Sequence, residues 1–190
     1  SQGSHAMRER LAGSLGVEEK HIKVVTNDVG GGFGLKMMCF PEYVATMFAS
    51  RALKRPVKWT STRSEAFLSD SHGRDHVTEA SIAMDKEGNF LGVKVDTVAA
   101  VGAYLSQYGI FIPTLAGAGM HVGVYKIPVL YNKVNVVYTN TVPVDAYRGA
   151  GRPEASYVIE RLVDKAADDL GIDPVELRVK NFVQPDEIGK

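Results

Sequence analysis

The sequence predicts an α+β fold, on three observations. Apolar residues recur at helical spacing in some segments and alternate at period two in others. The two kinds follow one another without the steady strand-helix-strand rhythm of a parallel α/β sheet. A chain of 190 residues, 45% hydrophobic and 23% charged, is also long enough and apolar enough to bury a sizeable core. Twenty-two basic and twenty-two acidic residues cancel, so no bulk field draws the chain to nucleic acid or anionic lipid. The longest weakly polar stretch, Val98 to Val124, is broken by Gln107, His121 and glycines, which argues against a membrane span. The single cysteine, Cys39, excludes an internal disulfide and any zinc or iron–sulfur site built from this chain's own thiolates, and it fits a reducing, cytoplasmic compartment.

Taken in order, Met7, Leu11 and Leu15 place one apolar face on a short helix from Ala6 to Leu15, stopped by Gly16. His21 to Thr26 reads as a strand, followed by a glycine-rich turn from Asn27 to Gly34. Leu35 to Ala52 reads as a buried helix, apolar on most of its circumference, with Pro41 either kinking it or marking its first turn. Val57 to Thr62 is a candidate strand. Val77 to Met84 and Phe90 to Val101 alternate on either side of a turn at Asp85 to Asn89, the pattern of a hairpin. Gly102 to Gly123 carries five glycines and no period, and reads as loop. Lys133 to Tyr138 is a further strand. Pro153 opens a helix to Leu170 that Gly171 closes, and Asp173-Pro174 caps a last helix to Phe182. No repeat and no internal domain boundary is visible within 1–190.

Two segments could carry chemistry. In Gly30-Gly31-Gly32-Phe33-Gly34, between a strand and a helix, the missing Cβ atoms let backbone N–H groups converge on an anion. The dinucleotide fingerprint fails at Leu35 and the phosphate loop at Met37, so spacing alone leaves a tight turn as the plainer reading. In Ala146-Tyr147-Arg148-Gly149-Ala150-Gly151-Arg152-Pro153-Glu154, two arginines precede a proline-started helix. That is either an oxyanion cradle or a capped helix with solvated arginines.

The pair together, in this order, resembles the molybdopterin-binding large subunits of the xanthine dehydrogenase, aldehyde oxidoreductase and aerobic carbon monoxide dehydrogenase superfamily. Tyr125-Lys126-Ile127-Pro128 and the tail Gly171-Ile172-Asp173-Pro174-Val175-Glu176-Leu177-Arg178-Val179-Lys180-Asn181-Phe182 extend the resemblance over nearly the whole chain. In such subunits a Ser/Thr-Gln pair stands where Ser1-Gln2 stands, which favours native sequence over vector residues at Ser1 to Met7. The resemblance implies a segment of a larger subunit, with a molybdenum held by the dithiolene of a pterin, in its cytosine dinucleotide form. It implies electrons leaving through a two-iron–two-sulfur small subunit and an FAD medium subunit, the whole a dimer of heterotrimers, and a catalytic glutamate beyond Lys190. Carried over by position, Gln2 donates to an oxygen ligand of the metal, and the amides of Gly31, Gly32, Phe33 and Gly34 line the same sphere. Ala146, Tyr147, Arg148, Gly149 and Ala150 form the facing loop, and Phe33, Met37 and Ala150 border the substrate. No protein side chain of this segment is expected to ligate the metal directly.

Departures from the family bear on substrate. Purine-oxidising members place a glutamate where Met37 stands, a phenylalanine where Ala150 stands and an arginine near Ala116. Carbon monoxide-oxidising members place a copper-binding cysteine where Gly149 stands. With glycine at 149 the pattern is similar to that of members acting on aldehydes and N-heteroaromatic rings, so the resemblance implies a molybdenum hydroxylase of such a substrate, with water as oxygen source. The alternatives are a non-catalytic binding or assembly module of the same fold, and a carbon monoxide dehydrogenase-like enzyme without the copper ligand. Cys39 reads as core packing, His72 and His76 as loop residues rather than a metal pair, and the stretch around Arg63 and Glu65 as solvated loop.

Overall fold

The computed structural model describes residues 1–188. Helix α1, Ser4–Leu15, buries Met7, Leu11 and Ala12. It ends where Gly16 takes φ 62, a left-handed stop that suits glycine. With Ile22 those residues form a small apolar cluster, against which Tyr43, Val44 and Met47 of α2, Pro41–Leu53, pack. After a seven-residue helix α3, Arg63–Ser69, the chain enters the sheet.

Strands β1, His76–Met84, and β2, Phe90–Ala100, pair antiparallel around a turn in which the Asp85 carboxylate accepts from Asn89 N and Nδ2 at 2.8 and 2.7 Å. Strand β3, Leu130–Val137, lies parallel on the other side of β2, so the sheet order is β1-β2-β3. Helix α4, Arg152–Leu170, packs on β1 and buries Ala155, Ile159, Val163, Ala166 and Ala167, one face at helical spacing. These meet Phe90, Val93 and Val95 of β2, with Tyr125 and Leu177, in the main core.

The tail after α4 is a docking device. Asp173 caps α5, Pro174–Asn181, by accepting from Val175 N and Glu176 N at 2.8 and 3.1 Å. Leu177 is fully buried, and Arg178 reaches Glu160 and Asp164 of α4 at 2.8 and 2.7 Å. Asn181, 3% exposed, accepts from Phe90 N and donates to Gly88 O and Leu177 O, each at 2.9 Å. It therefore ties the last helix to the β1–β2 turn. Tyr125 sits between Phe90 and Phe182 and donates to Glu160 at 2.8 Å. Burial, then that hydrogen bond, pushes its hydroxyl up to about 12, so it remains a donor at neutral pH.

Several expected elements differ. His21 to Thr26 and Val57 to Thr62 form no strand: His21 ends a short 3-10 turn, Glu19–His21, and no strand pairs with either segment among the described residues. The helix expected from Leu35 is split: Leu35–Met37 is a single 3-10 turn, and Pro41 occupies the first turn of α2, where its missing N–H costs nothing. Nor is α2 buried, since Phe48 and Leu53 are 66% and 62% exposed. Arg63 and Glu65 lie in helix, not loop: Thr62 and Glu65 form a reciprocal capping box. Within Gly102 to Gly123 stand a π turn, Ile112–Ala116, and a 3-10 turn, Ala118–Met120. The third strand begins at Leu130, three residues before the expected start.

Replacing Asn181 with Ala leaves a buried Phe90 N–H and Gly88 carbonyl without partners. Asn181→Ala should lower unfolding stability by about 2–4 kcal/mol in equilibrium denaturation. The exposed neighbour change Val179→Ala should stay within about 0.5 kcal/mol.

Candidate functional site

The glycine loop is shaped at specific positions. A Cβ at Gly30 would meet nothing within 4 Å, whereas Gly31 and Gly34 take φ 96 and 89, and Phe33 between them takes φ 56. A Cβ at Gly34 would stand 2.6 Å from Ala146 O, and one at Gly32 would stand 2.6 Å from Gln2 Cβ. The loop is thus bare where Gln2 and the second loop press on it. Gln2 is fixed by its backbone N–H donating to Lys36 O at 3.2 Å and by Oε1 accepting from Gly34 N at 2.9 Å. With Oε1 taken, Nε2 makes no hydrogen bond among the described residues and is left a donor. The Gly34 N–H, expected to face the ligand, is taken by Gln2.

The second loop hangs from a residue that the sequence did not single out. Asp145 is 2% exposed; Oδ1 accepts from Ala146 N at 2.5 Å and Oδ2 from Tyr108 N at 3.1 Å. Its own N–H donates to His72 O at 2.8 Å. Arg10 of α1 then links the turn just past the first loop to the Asp145 partner Tyr108, donating to Met37 O at 3.1 Å and to Tyr108 Oη at 3.0 Å. The loop closes with Ala150 N donating to Tyr147 O at 2.7 Å, Ala150 at φ 45 and Gly151 at φ 91. Asp145 follows the buried pair Pro143 and Val144, which was the one available sequence signal for its burial. Arg10 and Tyr108 gave none.

The two loops, more than a hundred residues apart in sequence, meet at two points. Gly34 lies against Ala146, and the Phe33 and Tyr147 rings stack with centroids 6.5 Å apart. Among the described residues the N–H groups of Gly31, Gly32, Phe33, Tyr147, Arg148 and Gly149 make no hydrogen bond, and the Arg148 guanidinium has no partner. Unpaired backbone donors, a free amide and a free guanidinium around glycines suit an anionic oxygen-rich group. The Met37 carbonyl accepts from Arg10 of α1, and among the described residues Met37 and Ala150 share no hydrogen bond.

The remaining candidates stand apart from this chemistry. Cys39 is half-buried against the α1–α2 cluster rather than in a helix, and burial raises its thiol above the ordinary range, which disfavours the nucleophilic thiolate. His72 Nδ1 faces Gly73 O at 3.2 Å. His76 and His121 share a small cavity of about 20 Å³ with Glu154, and burial holds both imidazoles below their ordinary value. Among the described residues no cluster of three metal-ligating side chains occurs, and no helix is long and apolar enough to cross a membrane. A cavity of about 740 Å³ is lined by Leu35, Thr62, Arg63, Phe67 and His72.

Residues 1–182 match the family described as molybdopterin cofactor-binding domain. The chain is 38% identical to the carbon monoxide dehydrogenase large chain of Hydrogenophaga pseudoflava, over 98% of this chain and 24% of that protein. It is 34% identical to the gamma subunit of the 6-hydroxypseudooxynicotine dehydrogenase complex of Paenarthrobacter nicotinovorans, over 97% of this chain and 23% of that one. Among solved structures, quinoline 2-oxidoreductase from Pseudomonas putida 86 superposes with a TM-score of 0.95 at 34% identity, covering all of this chain and 24% of that one. The chain therefore spans about a quarter of the length of the relatives it matches.

The close approach of Gly34 to Ala146 makes a sharp contrast testable by equilibrium unfolding. Gly34→Ala combines a left-handed backbone with a backbone clash and should cost at least about 2 kcal/mol. Gly30→Ala, in open space, should change stability by no more than about 0.5 kcal/mol.

Proposed function

The chain belongs to the molybdopterin cofactor-binding domain family, and from that premise we propose that it is the part of a molybdenum hydroxylase large subunit that presents two cofactor-facing loops. The observation that carries this reading is the meeting of Gln2 and the Gly31 to Gly34 loop with the Ala146 to Ala150 loop, their donors unpaired. When bound, the cofactor supplies two-electron oxidation of an electrophilic carbon, with water as the oxygen source. The chain's own residues bind and orient. Gln2 Nε2 and the N–H groups of Gly31, Gly32 and Phe33 donate to the anionic end of the cofactor, and Arg148 balances its charge. Fixed donors of this kind need no reorganisation as charge develops. The stacked rings of Phe33 and Tyr147 wall the site.

The substrate in this reading is an apolar aldehyde or an N-heteroaromatic ring. Met37 and Ala150 supply neither the carboxylate nor the aromatic wall that a purine site uses, and the quinoline enzyme's name supports the heteroaromatic option. Carbon monoxide chemistry through copper is disfavoured by the backbone itself. Gly149 sits at φ 97, and a Cβ there would stand 2.6 Å from Pro153 Cδ, so a cysteine does not fit this loop. The cytosine dinucleotide form, the iron–sulfur and FAD subunits and a dimer of heterotrimers belong to the same proposal, as does a catalytic glutamate from the remainder of the large subunit. The exposed apolar faces of α2 and α3, with Phe48, Phe67 and Leu68 at 66%, 74% and 79%, support burial against that remainder.

The test is steady-state oxidation by the full-length, molybdenum-loaded enzyme with a dye acceptor. The kcat/KM for an N-heteroaromatic ring or an apolar aldehyde should exceed that for xanthine at least ~100-fold. Equal or better turnover of xanthine contradicts the substrate assignment, and a full-length protein without molybdenum or pterin contradicts the enzyme reading itself.

A further inference from the structure

Arg74 lies outside both loops, in the segment leading to β1, yet its guanidinium meets the second loop and the helix behind it at three points. Nη2 donates to the carbonyl of Arg148. Nε pairs with Glu154 Oε1, in the first turn of α4, at 3.3 Å. The guanidinium carbon stands 4.9 Å from the centroid of the Tyr147 ring. A planar fork can make all three contacts at once, which a lysine ammonium cannot. The approach is built in from the backbone: Arg74 is held at φ 64, and a Cβ on the preceding Gly73 would stand 2.7 Å from Tyr147 Cβ. The pair is also shielded, with side chains 31% and 17% exposed, so it is less screened than a surface ion pair.

The contact to Arg148 O has a directional consequence. In a planar trans peptide the C=O and the following N–H point in opposite directions, so fixing the Arg148 carbonyl toward Arg74 aims the Gly149 N–H away from it. That N–H has no partner among the described residues. Tyr147, held from one side by Arg74, stacks on Phe33 with its rings 6.5 Å apart. We propose that Arg74, backed by Glu154, is a positioning residue. It sets the Arg148–Gly149 peptide and the Tyr147 ring so that the second loop presents its free donors toward the first. This rests on the proposed function only for what those donors bind; the clamp itself is a property of the loop.

The test uses the full-length protein and two variants, Arg74→Ala and Glu154→Gln. Amide hydrogen exchange at Ala150, whose N–H closes the loop onto Tyr147 O, should speed up at least ~10-fold in Arg74→Ala, and in the same direction in Glu154→Gln. In molybdenum-loaded enzyme, Arg74→Ala should lower kcat about 10- to 100-fold with KM changed far less, shift the Mo(V) resonance signal, and recover kcat with added guanidinium ion but not with methylammonium. Unchanged Ala150 exchange in both variants overturns the clamp. Faster exchange with unchanged kcat and an unchanged Mo(V) signal overturns its positioning role. Exchange is read without reference to the cofactor, so a protein lacking molybdenum would defeat the proposed function and leave the clamp tested on its own. Should Arg74→Ala not fold, Glu154→Gln, which removes only the paired charge, decides the matter by its Ala150 exchange.

Discussion

Each oxygen of the Asp145 carboxylate, 2% exposed, accepts a backbone N–H from a different segment, Ala146 on one side and Tyr108 on the other. A buried carboxylate is costly unless its acceptors are filled, and charge-assisted hydrogen bonds of this kind are among the stronger ones. Ala146 follows Asp145 in the chain, so the N–H that the fold must bring to the carboxylate is that of Tyr108, 37 positions away. Once there, Tyr108 meets Arg10, and Arg10 holds the carbonyl of Met37 just past the glycine loop. A single desolvated charge thereby connects α1, the glycine loop, the glycine-rich crossover between β2 and β3, and the Ala146 to Ala150 loop.

Backbone strain gathers at the same place. Of the non-glycine residues with positive φ, Phe33 and Ala150 lie in the two loops and Arg74 grips one of them, while Lys54 is the left-handed end of α2. Such conformations cost on the order of 1–3 kcal/mol each and persist where the surroundings over-determine them. Here Phe33 is flanked by the second loop and its neighbours Gly32 and Gly34 by Gln2 and Ala146, while Ala150 is followed directly by α4. Helix α4 starts directly at the loop and is anchored by Ile159 and Val163 in the core, and α5 with Asn181 locks the far end of the β1–β2 turn. The main core thus holds α4, on which the second loop is mounted, and among the described residues the donors of both loops stay unpaired.

Local signals were legible and non-local ones were not. The hairpin, α1, α4 and α5 announce themselves through periodicity, Gly16, Pro153, Gly171 and Asp173, all read within a few residues. The segments at His21 to Thr26 and Val57 to Thr62 have strand-like composition, but a strand also needs a neighbour, and pairing cannot be read from a segment alone. Apolar α2 looked buried because composition reports what a helix could bury, not what covers it. The Thr62 and Glu65 capping box was a readable signal for α3 that a serine-rich composition obscured. At the site, the glycines and the resemblance pointed to both loops, and the match over residues 1–182 agrees with the family so identified. Asp145, Arg10, Tyr108 and Arg74 are single polar residues whose partners lie between one and ninety-eight positions away, and no local pattern marks them.

The dependence of both loops on Asp145 is open to a direct measurement: amide hydrogen exchange at Gly34 in the Asp145→Asn variant of the full-length protein. Gly34 is not bonded to Asp145; its N–H donates to Gln2 Oε1, ahead of α1. If the carboxylate holds the two loops together, the amide substitution, which offers an N–H₂ where an acceptor is needed, should loosen the second loop and speed exchange at Gly34 at least ~10-fold. Exchange at Gly34 that stays at the wild-type rate while Ala146 and Tyr108 exchange faster would contradict it, showing that the glycine loop stands without the second one.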